Sequence, residues 1–270
     1  MRLGVAGMLL AALAYIAFRL FVHSSALLEP AVIVPQMDIH RALSPALDAR
    51  IDRLFHERFD SNRSDRPKLV ALTFDDGPYP VTTPLLLATL KDLNIHATFF
   101  LIGRDAIQFP DLARRIAADG NEIANHTLTH PNLDQLSAEQ VRSELDEGRS
   151  ALQRFASDPA IGKYMRPPHG RYTEATVREA IGDGYSVILW NDDPGDFREV
   201  VTPASLIEHL RRHASAPDII LLHSGRLATV EAMPEVARVF RAAGYRFVTA
   251  GELLRAVPWE KINHPAKGSI

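Results

Sequence analysis

Apolar and polar positions along the chain fall into two regimes. Leu3 to Phe18 carries no charged residue, Arg19 interrupts, and Leu20 to Val22 resumes the apolar run, with Arg2 and the free amine ahead of it. A basic start followed by an apolar run is the order of an export signal. A buried core helix would show a polar face instead. The run approaches the ~20 residues a helix needs to cross a bilayer, which suits a retained anchor. Ser24-Ser25-Ala26 offers small residues where a leader would be cut. Residues 1–25 are therefore expected to be a signal anchor or a signal peptide, with the anchor slightly favoured. The remainder is expected to work outside the cytoplasmic membrane, facing the periplasm or cell exterior, or to be secreted if the segment is cleaved.

Residues 26–67 read as a juxtamembrane linker. Ser44-Pro45 has the form of a helix cap followed by proline in the first turn. Leu47, Ile51, Leu54, Phe55 and Phe59 then recur at helical spacing with charged residues between them, an amphipathic helix. The stretch from Ser61 to Pro67 is polar.

From Lys68 the pattern changes to short apolar runs alternating with capped helical stretches. The runs predict strands at Leu69–Phe74, Ala97–Leu101, Glu122–Asn125, Tyr164–Arg166, Tyr185–Trp190, Ile219–Leu222 and Tyr245–Val248. Helix starts are signalled by Thr83-Pro84, by Ser137 with Gln140, and by Thr202-Pro203; Gly120, Gly184 and Gly244 are stops. Alternation of this kind implies βα units on a parallel sheet. About 190 residues is short for an eight-fold barrel of ~250 residues, so the expected fold is α/β, a distorted (β/α) barrel of about seven parallel strands. The expected domain spans 68–256, with a tail at 257–270.

Composition narrows the chemistry. The chain of 270 residues is 46% hydrophobic with a net charge of −3, which excludes wholesale disorder and gives no electrostatic case for nucleic acid. No protein partner is implied either. It contains no cysteine, so disulfides, thiolate metal sites and a thiol nucleophile are all absent. Any metal must be held by His, Asp or Glu.

In parallel α/β folds reacting groups collect at the carboxyl ends of strands. Here those ends carry Asp75-Asp76-Gly77-Pro78, then His126 with His130 four residues on, Arg166-Pro167-Pro168-His169-Gly170, Asn191 to Asp196, and His223. Histidines four apart on one turn can present both rings to one divalent ion. His209 and His213 have the same spacing, but lie mid-helix beside Arg211 and Arg212 and read as solvated surface. Adjacent Asp75 and Asp76 would repel unless a cation is near; a metal bound by one would leave the other free as a base.

The runs Thr73-Phe74-Asp75-Asp76-Gly77-Pro78, His126-Thr127-Leu128-Thr129-His130, Arg166-Pro167-Pro168-His169-Gly170, Asp193-Pro194-Gly195-Asp196-Phe197 and Leu221-Leu222-His223 resemble the ordered motifs of polysaccharide deacetylases, carbohydrate esterase family 4, or the NodB-homology group. The resemblance spans about Leu69 to Leu254. It implies a metal-dependent hydrolase that removes N-acetyl groups from N-acetylhexosamine polymers, an acetylated polysaccharide of the envelope or exterior such as a chitin-like polymer, peptidoglycan or poly-N-acetylglucosamine. It assigns Asp75 as base, His223 as acid, and Asp76, His126 and His130 as metal ligands. It further implies that Arg166 orients the base, that Asp196 tunes His223, that the His169 backbone N–H binds the oxyanion, and that Phe197 and Leu221 line the acetyl pocket. The ligand set suits Zn2+ best, with Co2+, Ni2+ or Mn2+ as alternatives. Two positions depart from the family pattern: His169 stands where Tyr or Phe is usual, and Phe197 where Trp is usual. Both bear on substrate preference more than on catalysis. An O-acetyl esterase acting on acetylated xylan, and a catalytically silent glycan-binding protein, are the competing expectations.

Overall fold

The alternation of the first apolar run sets the architecture. In the computed structural model, which describes residues 67–256, β1 spans Leu69–Asp75 and is buried throughout. Val70, Leu72 and Phe74 pack among helical residues such as Leu86, Leu90, Met233 and Phe240. Leu69 and Ala71 belong to a second cluster with Phe100, Ala124, Ile188, Ile219 and Leu221. A strand alternating between two apolar environments is covered on both faces, by helices outside and by other strands inside. The expected export segment and linker helix, and the expected tail, lie outside the described residues. Among the described residues no helix is long and apolar enough to cross a membrane.

After β1 the order is α1 (Thr82–Asp92), β2 (Thr98–Leu101), α2 (Gly103–Gln108), α3 (Pro110–Ala118), β3 (Glu122–Asn125), α4 (Ala138–Leu152), β4 (Tyr164–Met165), α5 (Glu174–Gly182), β5 (Ser186–Val187), α6 (Pro203–His213), β6 (Asp218–His223), α7 (Leu227–Ala242), β7 (Arg246–Phe247) and α8 (Ala250–Ala256). The described strands form one parallel sheet in the order β5-β4-β3-β2-β1-β6, with β7 also pairing with β1. Because β6 occupies one edge of β1 along Val70–Asp75, β2 and β7 must share the other. β7 therefore sits at the amino end of β1, below its pairing with β2.

All the expected strands are present, some of them shorter than the apolar runs that announced them. The run Tyr185–Trp190 is a strand only at Ser186–Val187. Its Ile188 N–H bonds to Met165 O of β4, whereas Asn191 N–H bonds to Ile219 O of β6. The chain changes partner midway, which breaks the ladder. A parallel bridge between Asp192 and Ile220 then joins the two ends of the strand order, an arrangement consistent with a distorted barrel.

Helix ends follow their local signals. Ser137 and Thr202 close capping boxes with Gln140 and Ser205. Gly120, Gly184 and Gly244 take φ of 84°, 82° and 84° just past α3, α5 and α7. In each case the next residue's N–H reaches back to the last turn (Asn121 to Ile116 O, Tyr185 to Ala180 O, Tyr245 to Phe240 O), the paired bonds of a Schellman stop. Thr83 is different: α1 begins one residue before it, and its Oγ1 instead accepts the Tyr79 N–H at 2.8 Å. That bond ties the turn after β1 to the helix.

Candidate active site

The two-residue period of the strands decides which polar groups face inward. With Leu69 and Ala71 pointing to the interior, Thr73 and Asp75 follow; with Ile219 and Leu221 inward, His223 follows. Asp75 pairs with His223 across β1 and β6, so both stand at the same level of the sheet. By the same count Ala124 leads to His126, and Tyr164 to Arg166.

Asp76 should point away by this alternation. Its φ of 67° places it in the left-handed region and turns it back to the site. Among the described residues the non-glycine positions with positive φ are Asp76, Asn94, Thr127, His130 and His169. Asn94 ends a helix; the other four surround one point. Backbone strain of this kind persists only where surrounding contacts hold it.

Asp76, His126 and His130 could hold a metal ion, since they offer ligand atoms within 4.8 Å of one another. The Nδ1–H of His126 donates to Arg166 O at 2.8 Å, which leaves the Nε2 lone pair facing the cluster. Burial lowers the His126 pKa to about 4 against the pull of Asp75 and Asp76, so the ring is neutral as a ligand must be. Asp76 Oδ1 is buried without a well-formed hydrogen bond, 3.1 Å from His130 Nε2 and 3.7 Å from His126 Nε2. Burial alone would raise its pKa, but close contact with His130 outweighs it and holds the carboxyl well below the usual range. A carboxylate oxygen and two imidazole nitrogens converging in this way fit a divalent cation.

Arg166 lies beneath them, wholly buried. Its Nη1 donates to Asp75 Oδ1 at 2.7 Å and Thr73 Oγ1 at 2.8 Å; Nε and Nη2 donate to Ile188 O and Leu189 O. The guanidinium stacks over Phe100, 4.1 Å from its centroid. Burial lowers the Arg166 pKa while Asp75 opposes that effect. Asp75 is thus fixed through one oxygen, and its Oδ2 stands 3.7 Å from His126 Nε2.

On the opposite side, His223 Nδ1–H donates to Asp196 Oδ1 at 2.7 Å. Asp196 Oδ2 accepts from His223 N–H and from Thr229 Oγ1, so the carboxylate is fully engaged and wholly buried. Burial disfavours charge on His223, but Asp196, then Asp75 and Asp76, raise its pKa to about 9. Phe197 stands edge-on to His223, with centroids 5.8 Å apart, and is 52% exposed; Leu221 is buried in the inner cluster. His169 packs edge-on against His130 at 4.5 Å. The turn around it is closed by the N–H groups of Gly170 and Arg171 bonding to Pro167 O and Pro168 O.

Contacts thus link Asp75, Asp76, His126, His130, Arg166 and His169 on one side and Asp196, Phe197 and His223 on the other, with Asp75 and His223 level on neighbouring strands and Leu221 in the apolar cluster below. The structure adds residues that no motif marks. Glu144 on α4 accepts the N–H groups of Leu128 and Thr129 and the Thr129 hydroxyl, and Asn125 Oδ1 accepts the Thr127 N–H; together they hold the loop bearing both histidines. Arg171 grips Asp134 bidentately beside His169. Only proximity in space reveals these. His209 differs from its expected solvated state: its Nε2 lies 2.8 Å from buried Asp192 Oδ1, and its ring stacks on His213. It serves a hydrogen bond to Asp192 and is not part of the three-ligand cluster.

The polysaccharide deacetylase family model matches residues 62–188. A peptidoglycan-N-acetylglucosamine deacetylase of Bacillus cereus is 35% identical over 193 residues, covering 70% of this chain and 89% of the relative. A chitooligosaccharide deacetylase of Sinorhizobium fredii is 34% identical over 189 residues, covering 70% of this chain and 84% of the relative. The crystal structure of the Bc1960 peptidoglycan N-acetylglucosamine deacetylase, in complex with a naphthalenyl N-hydroxybenzamide, superposes with a TM-score of 0.67 at 33% identity, covering 70% of this chain and 89% of that one. The chain belongs to the polysaccharide deacetylase family, carbohydrate esterase family 4, and is a carbohydrate deacetylase.

Proposed function

We propose that this protein removes N-acetyl groups from N-acetylhexosamine residues of a cell-envelope or extracellular glycan. The observation that carries the reading is the arrangement of a buried Asp75–Arg166 pair and a part-buried Asp196–His223 pair around the Asp76, His126 and His130 cluster. An amide is a weak electrophile and its amine a poor leaving group, so hydrolysis needs both activation of water and protonation of nitrogen.

A divalent ion held by Asp76, His126 and His130, most suitably Zn2+, would polarise the acetyl carbonyl and lower the pKa of water beside it. Asp75, anchored through Oδ1 by Arg166, accepts the water proton on its other oxygen. The His169 N–H donates to the developing oxyanion. His223, charged near neutral pH because Asp196 stabilises the imidazolium, passes a proton to the departing amine. Phe197 and Leu221 wall the acetyl group. The Asp196–His223 pair favours amides over esters, because an amine must be protonated to leave whereas an ester's alcohol demands less of the acid.

The two relatives named above are deacetylases of peptidoglycan N-acetylglucosamine and of chito-oligosaccharides, which supports that substrate class. The apolar run Leu3–Val22 supports a site of action beyond the cytoplasmic membrane, anchored or released. The test is acetate release by the metal-loaded protein from chito-oligosaccharides, peptidoglycan, poly-N-acetylglucosamine and acetylxylan. Release from an amide-linked substrate is expected. Release from acetylxylan alone would make it an esterase, and glycan binding without release from any substrate would leave a silent binding protein.

A further inference from the structure

Helix α7 opens on Arg226, which makes no cap hydrogen bond, as is also true of the residues that open α1, α2 and α3. A cation there faces the positive end of the helix dipole, so local helix energetics do not account for it. Its guanidinium reaches across to the loop after β5. Nε donates to Asp196 O at 2.9 Å, and Nη2 donates to Phe197 O at 2.9 Å and Arg198 O at 2.7 Å. One planar fork therefore holds three successive carbonyls, a geometry a lysine ammonium cannot reproduce.

The held residues form one side of the site. Asp196 bonds His223, and Phe197 stands edge-on to the same ring although its side chain is half-exposed. An exposed aromatic ring keeps such a position only if its backbone is fixed. Arg226 starts three residues after His223 on the same strand exit, so it ties the loop directly to the element bearing the acid.

Resting on the deacetylase reading above, we propose that Arg226 is a positioning residue for acyl-group selectivity: by pinning the Asp196–Arg198 backbone it sets the size of the pocket that Phe197 walls. The substrate class it selects is the small N-acyl group, acetyl over longer acyl chains.

The test compares wild type, Arg226→Lys and Arg226→Gln on N-acetyl and N-propionyl chito-oligosaccharides of equal length, with metal content and amide hydrogen exchange over residues 195–199 measured on each. Misplacing a reacting group by ~1 Å costs on the order of a hundredfold, so a loss of about tenfold or more in kcat/KM is expected on the acetyl substrate. The propionyl substrate should lose less, narrowing the acetyl-to-propionyl ratio in both variants, with faster exchange at Phe197–Glu199 and unchanged metal content. An equal fall on both substrates, or full rescue by lysine, overturns the proposal. Failure of the deacetylase reading looks different: the metal-loaded wild type turns over neither amide, and the Arg226 proposal falls with it, whatever the exchange data show about the loop.

Discussion

An isolated imidazole is mostly neutral at neutral pH; His223 is made a proton donor by what surrounds it. Asp196 accepts both its Nδ1–H and its backbone N–H, and the raised pKa of about 9 follows despite burial. The sign is that of a cation gaining a partner. The stability this pair contributes is complete below the ordinary histidine value of 6.5 and is lost as pH rises through about 9. The alkaline limb of kcat/KM should follow the same group. In Asp196→Asn that limb is expected to move down by at least one pH unit, with a pH–rate profile as the check; a limb that stays in place would assign it to another group. His126 and His213 make a second contrast. His126→Ala should lose bound metal by elemental analysis while His213→Ala retains it, because only His126 directs a lone pair into the three-ligand cluster. The sequence placed Asp75, His126, Arg166 and His223 at the carboxyl ends of strands, and alternation along those strands turns them inward. Asp76 was named as a ligand only through the resemblance, and its inward turn depends on a φ of 67° that strand alternation does not demand.

The helices and strands were legible where their signals are local: capping boxes at Ser137 and Thr202, and stops at Gly120, Gly184 and Gly244. Strand lengths were not, because hydrogen bonding to a neighbour decides them. The same dependence on neighbours governs the loop between β3 and α4. Gly148 of α4 lies so close to this loop that a Cβ there would stand 2.6 Å from Asn125 Oδ1 and 2.9 Å from Thr127 C. Gly148→Ala is therefore expected to lower stability by about 1–3 kcal/mol in denaturant unfolding, the usual cost of overpacking. It should also weaken metal retention, since the displaced loop carries His126 and His130. A variant with wild-type stability and metal content would show that α4 does not brace the site.

In the molecule as a whole, Arg166 ties together segments distant in sequence. From the end of β4 it reaches Thr73 and Asp75 of β1 and the carbonyls of Ile188 and Leu189, all in the interior. Arg166→Met would keep much of the volume but leave Asp75 buried beside unpaired acceptors. Breaking a buried pair from one side costs about 3–5 kcal/mol, so the variant should be strongly destabilised and inactive. Asp75→Asn, which keeps an acceptor for Arg166, should be the milder change in stability yet equally inactive. Denaturant midpoints and acetate release separate the two; similar midpoints would mean that Arg166 contributes packing alone.

What the sequence by itself determined is which polar groups stand at the strand ends and the order in which they appear. Period-two alternation and helix caps are local, and an α/β sheet gathers its strand ends on one face whatever the loops do. The tertiary structure alone decided the rest: the turned backbone at Asp76, Thr127, His130 and His169, the change of partner after β5, and the bracing by Glu144, Thr229 and Arg226. Each of those rests on groups distant in sequence whose energies exist only once the chain has closed around them. The absence of cysteine restricted the ligands to His, Asp and Glu, and packing chose which of them meet.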